Sequence, residues 1–179
     1  MTPVFSYWSS DDMLWMDGKG SDGQGPCAQD KASACSKQVM FSNFSLSDIG
    51  GAGPAPAPSQ PAAAPKPTPP PAAVKCPGKI DMAGYGKVSV IPTGWTAPDS
   101  MVEIGVEDGN TLVTNMGARG YFADSCTAGV YNNEQYSALK LLGKTLRFTA
   151  DISGAGCGCN AAFYLVSMHQ NTRVSDCSD

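Results

Sequence analysis

The alternation of apolar and polar positions predicts short β-strands along most of the chain. Residues 145–152 alternate strictly, with Leu146, Phe148, Ala150 and Ile152 on one side, which indicates a half-buried strand. Residues 161–168 form a near-continuous apolar run, which we expect to be a strand packed on both faces. Residues 38–46 also have strand propensity, with a break in the alternation near Asn43.

Three further runs predict short strands between Gly, Pro and Asp turns: residues 87–91, 101–104 and 110–113. Residues 134–142 fit either one helical turn or a strand, since their periodicity does not decide between the two. Many short strands without a long helix indicate an all-β protein, and a β-sandwich is the architecture that this pattern favours.

A Pro- and Ala-rich run, residues 53–71, divides the chain. Proline removes backbone donors and fixes φ, so this run predicts an extended, semi-rigid polyproline-II spacer. We therefore predict three zones: residues 1–51, an interdomain linker of residues 52–74, and residues 75–179.

The charge balance excludes some partners. Charged residues make up 16% of the chain, and the net charge is −4. Nucleic acid is not expected, because phosphate binding needs clustered Lys and Arg. No apolar stretch approaches the length of a membrane span, and the start of the chain does not resemble a signal peptide. A neutral polysaccharide suits this composition, and any targeting signal is expected upstream of Met1.

Seven cysteines indicate an oxidising, extracellular compartment. Cys157 and Cys159 are too close together for a zinc knuckle, and His169 is the only histidine, so no metal site is predicted. An odd count leaves one thiol free, intermolecular, or paired with a residue outside this sequence.

Several segments resemble glycoside hydrolase family 7. Residues 140–168 resemble the paired strands that read "LLGNEFTFDVDVS" and "GALYFVSM" in that family, and residues 114–119 resemble its "NVGARLYLM" strand. Residues 4–17 and 39–50 resemble its C-terminal end. The order implies the C-terminal end of one such domain, a linker, and the N-terminal half of a second. A truncated tandem protein and, more rarely, a circular permutant both give this order.

The resemblance implies a fold and an activity. The family consists of secreted retaining cellulases on a curved, concanavalin-like jelly-roll β-sandwich, so a partial sandwich acting on cellulose or a related β-glucan is expected, with no cofactor. A retaining enzyme needs two carboxyl groups about 5 Å apart. In the family these lie on an "ExDxxE" strand, a motif absent from this sequence. The isolated chain is therefore predicted to bind glucan poorly and to be inactive, and endo or exo action stays open.

The resemblance also implies sugar-binding residues. A Trp ring offers a flat apolar plate for the C–H face of a glucose ring, and Asn, Arg and Tyr groups suit sugar hydroxyls. The candidate binding residues are Trp8, Trp15, Asn115, Arg119, Asn160 and Tyr164. Ordinary core or turn positions are the alternative interpretation for each of them.

Two more points bear on the site. Glu103 and Glu107 would share one face of a strand, but about 13 Å apart, too far for a retaining pair. Cys157 aligns with a family cysteine whose partner lies in the C-terminal segment, where Cys27 aligns. The resemblance thus implies a Cys27–Cys157 disulfide, which would join zones one and three into one permuted sandwich.

Two other functions remain open: a non-catalytic glucan-binding module, and a structural, disulfide-linked extracellular protein. The cellulase and the binding module differ in whether the reading frame continues past Asp179 into an "ExDxxE" strand. The structural protein would be favoured if Trp8 and Trp15 were both buried.

Overall fold

The structure is a computed structural model that describes residues 1–16, 18, 25–50, 75–93, 102–128 and 133–167. The predicted linker, residues 52–74, lies outside the described residues, as do His169 and Cys177. No α-helix occurs in the described part of the chain; short 3-10 turns span Leu14–Met16, Ala32–Ala34 and Asn133–Gln135.

In the described ranges nine strands form two antiparallel sheets, which confirms the all-β sandwich. The strands are β1 Thr2–Ser9, β2 Gln38–Asp48, β3 Lys79–Met82, β4 Gly86–Thr93, β5 Ile104–Glu107, β6 Thr111–Asn115, β7 Arg119–Ala123, β8 Lys144–Asp151 and β9 Cys159–Val166. One sheet has the order β3-β4-β7-β1-β9, and the other has the order β5-β6-β2-β8.

The first zone lies inside the sheets that the third zone forms. β1 is hydrogen-bonded to β7 on one side and to β9 on the other. β2 lies likewise between β6 and β8. The strands of residues 1–50 and 75–167 therefore make one sandwich.

The core lies between the two sheets and is rich in aromatic rings. Phe5, Phe41, Phe44 and Phe122 are almost fully buried there. The half-buried Phe163 contacts the rings of Phe41, Phe44 and Phe122 at centroid distances of 5.6 to 5.9 Å. These side chains come from β1, β2, β7 and β9, so both zones build the same core.

The predicted break in β2 is a bulge at Asn43. The register with β8 shifts between Ser42 and Ser45, and Asn43 adopts a left-handed φ of 55°. The Asn43 side-chain oxygen accepts a hydrogen bond of 3.1 Å from the Asn110 side-chain amide. The Asn110 side-chain oxygen in turn accepts one from the backbone N–H of Asn43. Asparagine tolerates this backbone conformation because its short side chain bonds locally.

Two predictions for local structure need correction. The run 161–168 is not packed on both faces, because Tyr164 and Leu165, neighbours on β9 that point to opposite faces, are 36% and 37% exposed. The strand expected at residues 101–104 begins at Ile104 instead, so Glu103 precedes it. For residues 134–142, which fitted either a helical turn or a strand, the structure has the helical turn: a single 3-10 turn near their start and no strand.

β8 also lies at an edge, and its apolar face is more open than predicted. Phe148 and Ile152 are 38% and 49% exposed. β8 and β9 thus leave one end of the sandwich partly uncovered.

Candidate functional site

Four of the six predicted binding residues lie on one face of the five-stranded sheet. Directly opposed residues of an antiparallel pair point to the same side. Trp8 pairs with Asn160, Val4 with both Tyr121 and Tyr164, and Ser6 with Arg119. The residues between them, Phe5 and Phe163, point into the core. The outer face therefore carries Trp8, Arg119, Tyr121, Asn160 and Tyr164.

Arg119 and Tyr121 form a fixed pair on β7. The Arg119 Nη2 donates a hydrogen bond of 2.6 Å to the Tyr121 hydroxyl, and the guanidinium carbon lies 5.4 Å from the Tyr121 ring centroid. The Tyr121 ring also stacks on Tyr136, with centroids 4.7 Å apart. These contacts hold the guanidinium and phenol groups in place.

The Tyr121 phenol is neutral at ordinary pH. Burial of the ring raises the pKa of Tyr121 above its ordinary value, and the Arg119 guanidinium offsets part of this rise. The Tyr164 phenol contributes a smaller upward shift. A neutral hydroxyl both donates and accepts hydrogen bonds, which is what a sugar hydroxyl requires.

The Trp8 end of the face meets the first 3-10 turn. Trp8 is half-buried on β1, and the Asn160 amide donates a long contact of 3.9 Å to the Met16 sulfur. Trp15 lies in the same turn and is 75% exposed, while its indole N–H donates to the Asp12 carbonyl at 3.3 Å. Its ring is therefore accessible, in the same turn as the Met16 that contacts Asn160.

Asn115 is not on this face. It ends β6 in the other sheet, and its amide donates a hydrogen bond of 2.8 Å to the Glu103 carbonyl. This hydrogen bond joins the end of β6 to the residue that precedes β5.

Sequence reasoning missed Tyr121 and Tyr136. Tyr121 follows Arg119 by two residues, so strand periodicity from Arg119 was a signal that could have found it. Tyr136 lies outside the strands and is 7% exposed, and no local pattern marks it. Together with Ile91 and Ala123 it forms a small second core on the outer side of the sheet.

Disulfides tie the loops beside this face. The structure joins Cys27 to Cys157 in the turn before β9, and Cys35 to Cys159, the first residue of β9, so both bonds connect the first zone to the start of β9. A Cβ at Gly158, between the two cysteines, would lie 2.6 Å from the Lys31 backbone nitrogen. Glycine is therefore required for this close approach. Cys76 pairs with Cys126 beneath the second core.

Carboxylates are scarce on the outer face. Among the strand residues that the structure describes, Asp81 on β3 is the only acid whose register places it there. The described residues contain no group of three His, Cys, Asp or Glu side chains arranged to hold a metal ion. Within the same ranges, no helix is long and apolar enough to cross a membrane.

Comparison with known proteins identifies the family. Residues 69–178 match the family model of glycosyl hydrolase family 7. No solved structure matches the chain. The matched part includes β3 to β9 and leaves β1 and β2 outside. Because the match covers more than half of the 179 residues, the protein belongs to glycosyl hydrolase family 7.

Proposed function

We propose that this chain is part of a secreted, retaining β-1,4-glucanase and that a chain of cellulose or a related β-glucan lies across the outer face of the five-stranded sheet. One observation carries the proposal: the register of β7, β1 and β9 aligns Arg119, Trp8, Asn160 and Tyr164 on that face. Trp15 extends this surface at one end.

The chemistry of the face suits a neutral sugar chain. The Trp8, Trp15 and Tyr164 rings present apolar surfaces for the C–H faces of glucose rings. The amide and guanidinium groups of Asn160 and Arg119 supply hydrogen bonds for the hydroxyls. Uncharged ligands need no clustered opposite charge, in agreement with a chain in which charged residues are 16%.

Weak binding without cleavage is the expected behaviour of the chain alone. Retaining hydrolysis needs a nucleophile and an acid/base carboxyl about 5 Å apart. The Glu-x-Asp-x-x-Glu motif does not occur in the sequence. Asp81 on its own cannot fill both roles. We propose that the catalytic carboxylates belong to a strand beyond this chain.

The domain organisation is part of the same proposal. Residues 1–51 are the C-terminal segment of a family-7 domain, residues 52–74 are a linker, and residues 75–179 are the N-terminal part of a second such domain. The position of β1 between β7 and β9 supports the assignment of the two segments to opposite ends of the family fold, because they complement each other in one sandwich, as in a permuted domain. Three disulfides support secretion.

A binding and hydrolysis assay on the same sample tests the proposal. The chain is incubated with insoluble cellulose and, separately, with soluble β-glucan; bound protein and released reducing ends are both measured. Retention on cellulose without release of reducing ends is the expected result. Absence of retention would remove the glucan claim, and release of reducing ends would show that the catalytic groups are present.

A non-catalytic glucan-binding module is the second candidate, favoured by the scarcity of carboxylates on the face. Extending the chain with the residues that follow it in its own reading frame separates the two. The glucanase proposal predicts that the extension confers hydrolysis, whereas a binding module would stay inactive.

A further inference from the structure

Asp30 is a buried carboxylate outside the strands of either sheet. Its side chain is 5% exposed. It lies between Cys27 and Cys35, in the loop that two disulfides join to the start of β9. Burying an ionisable group is costly unless it is hydrogen-bonded, so the hydrogen bonds of Asp30 indicate what this side chain does.

One oxygen of Asp30 holds the backbone of the first 3-10 turn. The Asp30 Oδ2 accepts a hydrogen bond from the backbone N–H of Met13, the residue before the turn Leu14–Met16. A carboxylate acceptor makes a stronger hydrogen bond than a neutral one. Among the described residues no donor reaches the Asp30 Oδ1. The bond to Met13 is therefore the contact that offsets the burial of this carboxylate in the described part of the chain.

The turn has little other attachment to the fold. It is three residues long, and the Met16 backbone N–H donates to the Met13 carbonyl at 2.8 Å. Leu14, Trp15 and Met16 are 46%, 75% and 44% exposed, so their side chains bury little apolar area. Met13 is 3% exposed. Because a turn this short is not stable alone, its orientation depends on its attachment at Met13.

The direction of Trp15 depends on the same attachment. Its indole N–H donates to the Asp12 carbonyl at 3.3 Å, a contact within the same short segment. That contact fixes the ring to the turn but does not fix the turn to the rest of the protein. The bond from the Met13 N–H to Asp30 supplies the second link.

The loop that carries Asp30 also joins the turn to β9. Lys31, the next residue, donates its backbone N–H to the carbonyl of Cys157 at 3.2 Å, just before β9 begins. β9 carries Asn160 on the outer face of the five-stranded sheet. Trp15 and Asn160 are therefore both connected to the Asp30 loop.

We propose that Asp30 is a positioning residue for the glucan-binding face: through the backbone of Met13, its carboxylate fixes the turn that presents Trp15. Asp30 itself does not contact the sugar. The inference rests on the proposed function, which makes Trp15 part of that face. Asp30→Ala removes the acceptor and should release the turn, whereas Asp30→Asn keeps an oxygen for the Met13 N–H and should retain it.

The first test measures the turn without any sugar. The full chain is labelled with nitrogen-15 on tryptophan only, and the backbone amide of Trp15 is the NMR signal that Trp15→Phe removes. We expect an order parameter near about 0.85 in wild type and Asp30→Asn and below about 0.6 in Asp30→Ala, with the Trp8 amide unchanged. A flexible Trp15 amide in wild type, or a rigid one in Asp30→Ala, would overturn the proposal.

Asp11→Ala is the matched control. The Asp11 Oδ1 accepts a hydrogen bond of 2.9 Å from the backbone N–H of Ala32, so it links the same two segments without a bond to the turn. We expect the Trp15 amide to stay rigid in this variant. Equal loosening in Asp11→Ala and Asp30→Ala would show that any link between the segments suffices, and would contradict a specific role for Asp30.

Titration with a soluble cello-oligosaccharide tests the consequence for binding. Trp15→Ala gives the contribution of the ring, which we expect to be about tenfold in affinity. Asp30→Ala should cost at least about threefold in the wild-type background and less than about twofold in the Trp15→Ala background, because a positioning residue has no effect once the group it positions is absent. Equal losses in both backgrounds would overturn the proposal. If wild type does not bind, the proposed function fails, and the order parameters still decide whether Asp30 positions the turn.

A measurement on wild type decides the proposal if Asp30→Ala does not fold. NMR detects the scalar coupling across a hydrogen bond, here between the Met13 amide nitrogen and the Asp30 carboxyl carbon. The proposal expects this coupling. Its absence, with couplings across the β1–β9 hydrogen bonds present in the same spectrum, would overturn the proposal.

Discussion

The rings of Phe148 and Phe163 face each other across the sandwich with centroids 4.4 Å apart, although the two strands that carry them belong to different sheets. They close the core at the end where β8 and β9 are edge strands. Phe163 also contacts Phe41, Phe44 and Phe122. This pair therefore anchors the open end of the fold to the buried aromatic core.

Replacing Phe163 with Ala should lower the free energy of unfolding by about 3 kcal/mol, because a large ring leaves a cavity among four others. Leu165→Ala on the same strand is the matched control; its side chain is 37% exposed, and we expect a loss below about 1 kcal/mol. Urea unfolding measures both. Equal losses would show that the ring cluster does not hold β9 in place.

The Asn43 bulge gives a prediction about backbone conformation. Asn43→Ala removes the amide pair with Asn110 and places an ordinary side chain at a φ of 55°, so we expect a loss of about 2 kcal/mol. Asn43→Gly loses the same side-chain hydrogen bonds, to Asn110 and Thr149, but should cost only about 1 kcal/mol, since glycine tolerates this φ. Thermal or urea unfolding distinguishes them. A glycine variant less stable than the alanine variant would contradict the account.

The Cys27–Cys157 and Cys35–Cys159 disulfides should not contribute additively to stability. Each closes a loop of more than 120 residues, but once one is formed the other closes only a short additional loop. Removing either bond by paired Cys→Ser substitution should cost about 3 kcal/mol, whereas removing both should cost about 7 kcal/mol. The free energy of unfolding of the three variants checks this. A double variant whose loss only equals the sum of the two single losses would count against shared loop closure.

The raised pKa of Tyr121 predicts that the free energy of unfolding falls at alkaline pH. Its pKa is raised above 10.0 in the folded protein, mainly by burial, so folding favours the protonated phenol. The associated stability is present below pH 10 and is lost as pH rises through the raised pKa. Wild type should therefore lose stability more steeply above pH 10 than Tyr121→Phe. The same slope for both proteins would contradict the raised pKa.

Local strand pattern predicted much of the fold. The alternation of residues 145–152 located β8, and the interrupted pattern near Asn43 located the bulge in β2. Sequence could not predict that β9 is an edge strand, because a continuous apolar run does not reveal whether a neighbour covers it. Likewise, spacing does not determine how cysteines pair, so Cys35–Cys159 and Cys76–Cys126 were not predicted.

The candidate site was predicted in part. Family resemblance selected Trp8, Arg119, Asn160 and Tyr164, which strand register places on one face. Asn115 was chosen by the same resemblance but lies in the other sheet. Tyr136 reaches the face from an irregular segment, and only the folded chain brings it onto Tyr121.

The central claim is that the outer face of the five-stranded sheet binds β-glucan. Titration of wild type, Trp8→Ala and Tyr164→Ala with a soluble cello-oligosaccharide tests it directly, with Tyr85→Ala as control, since Tyr85 is 43% exposed at the β3–β4 turn. We predict at least about a tenfold loss of affinity for each face variant, the equivalent of 1.4 kcal/mol, and wild-type affinity for the control. Unchanged affinity in both face variants, with wild type still binding, would place the glucan elsewhere and contradict the account.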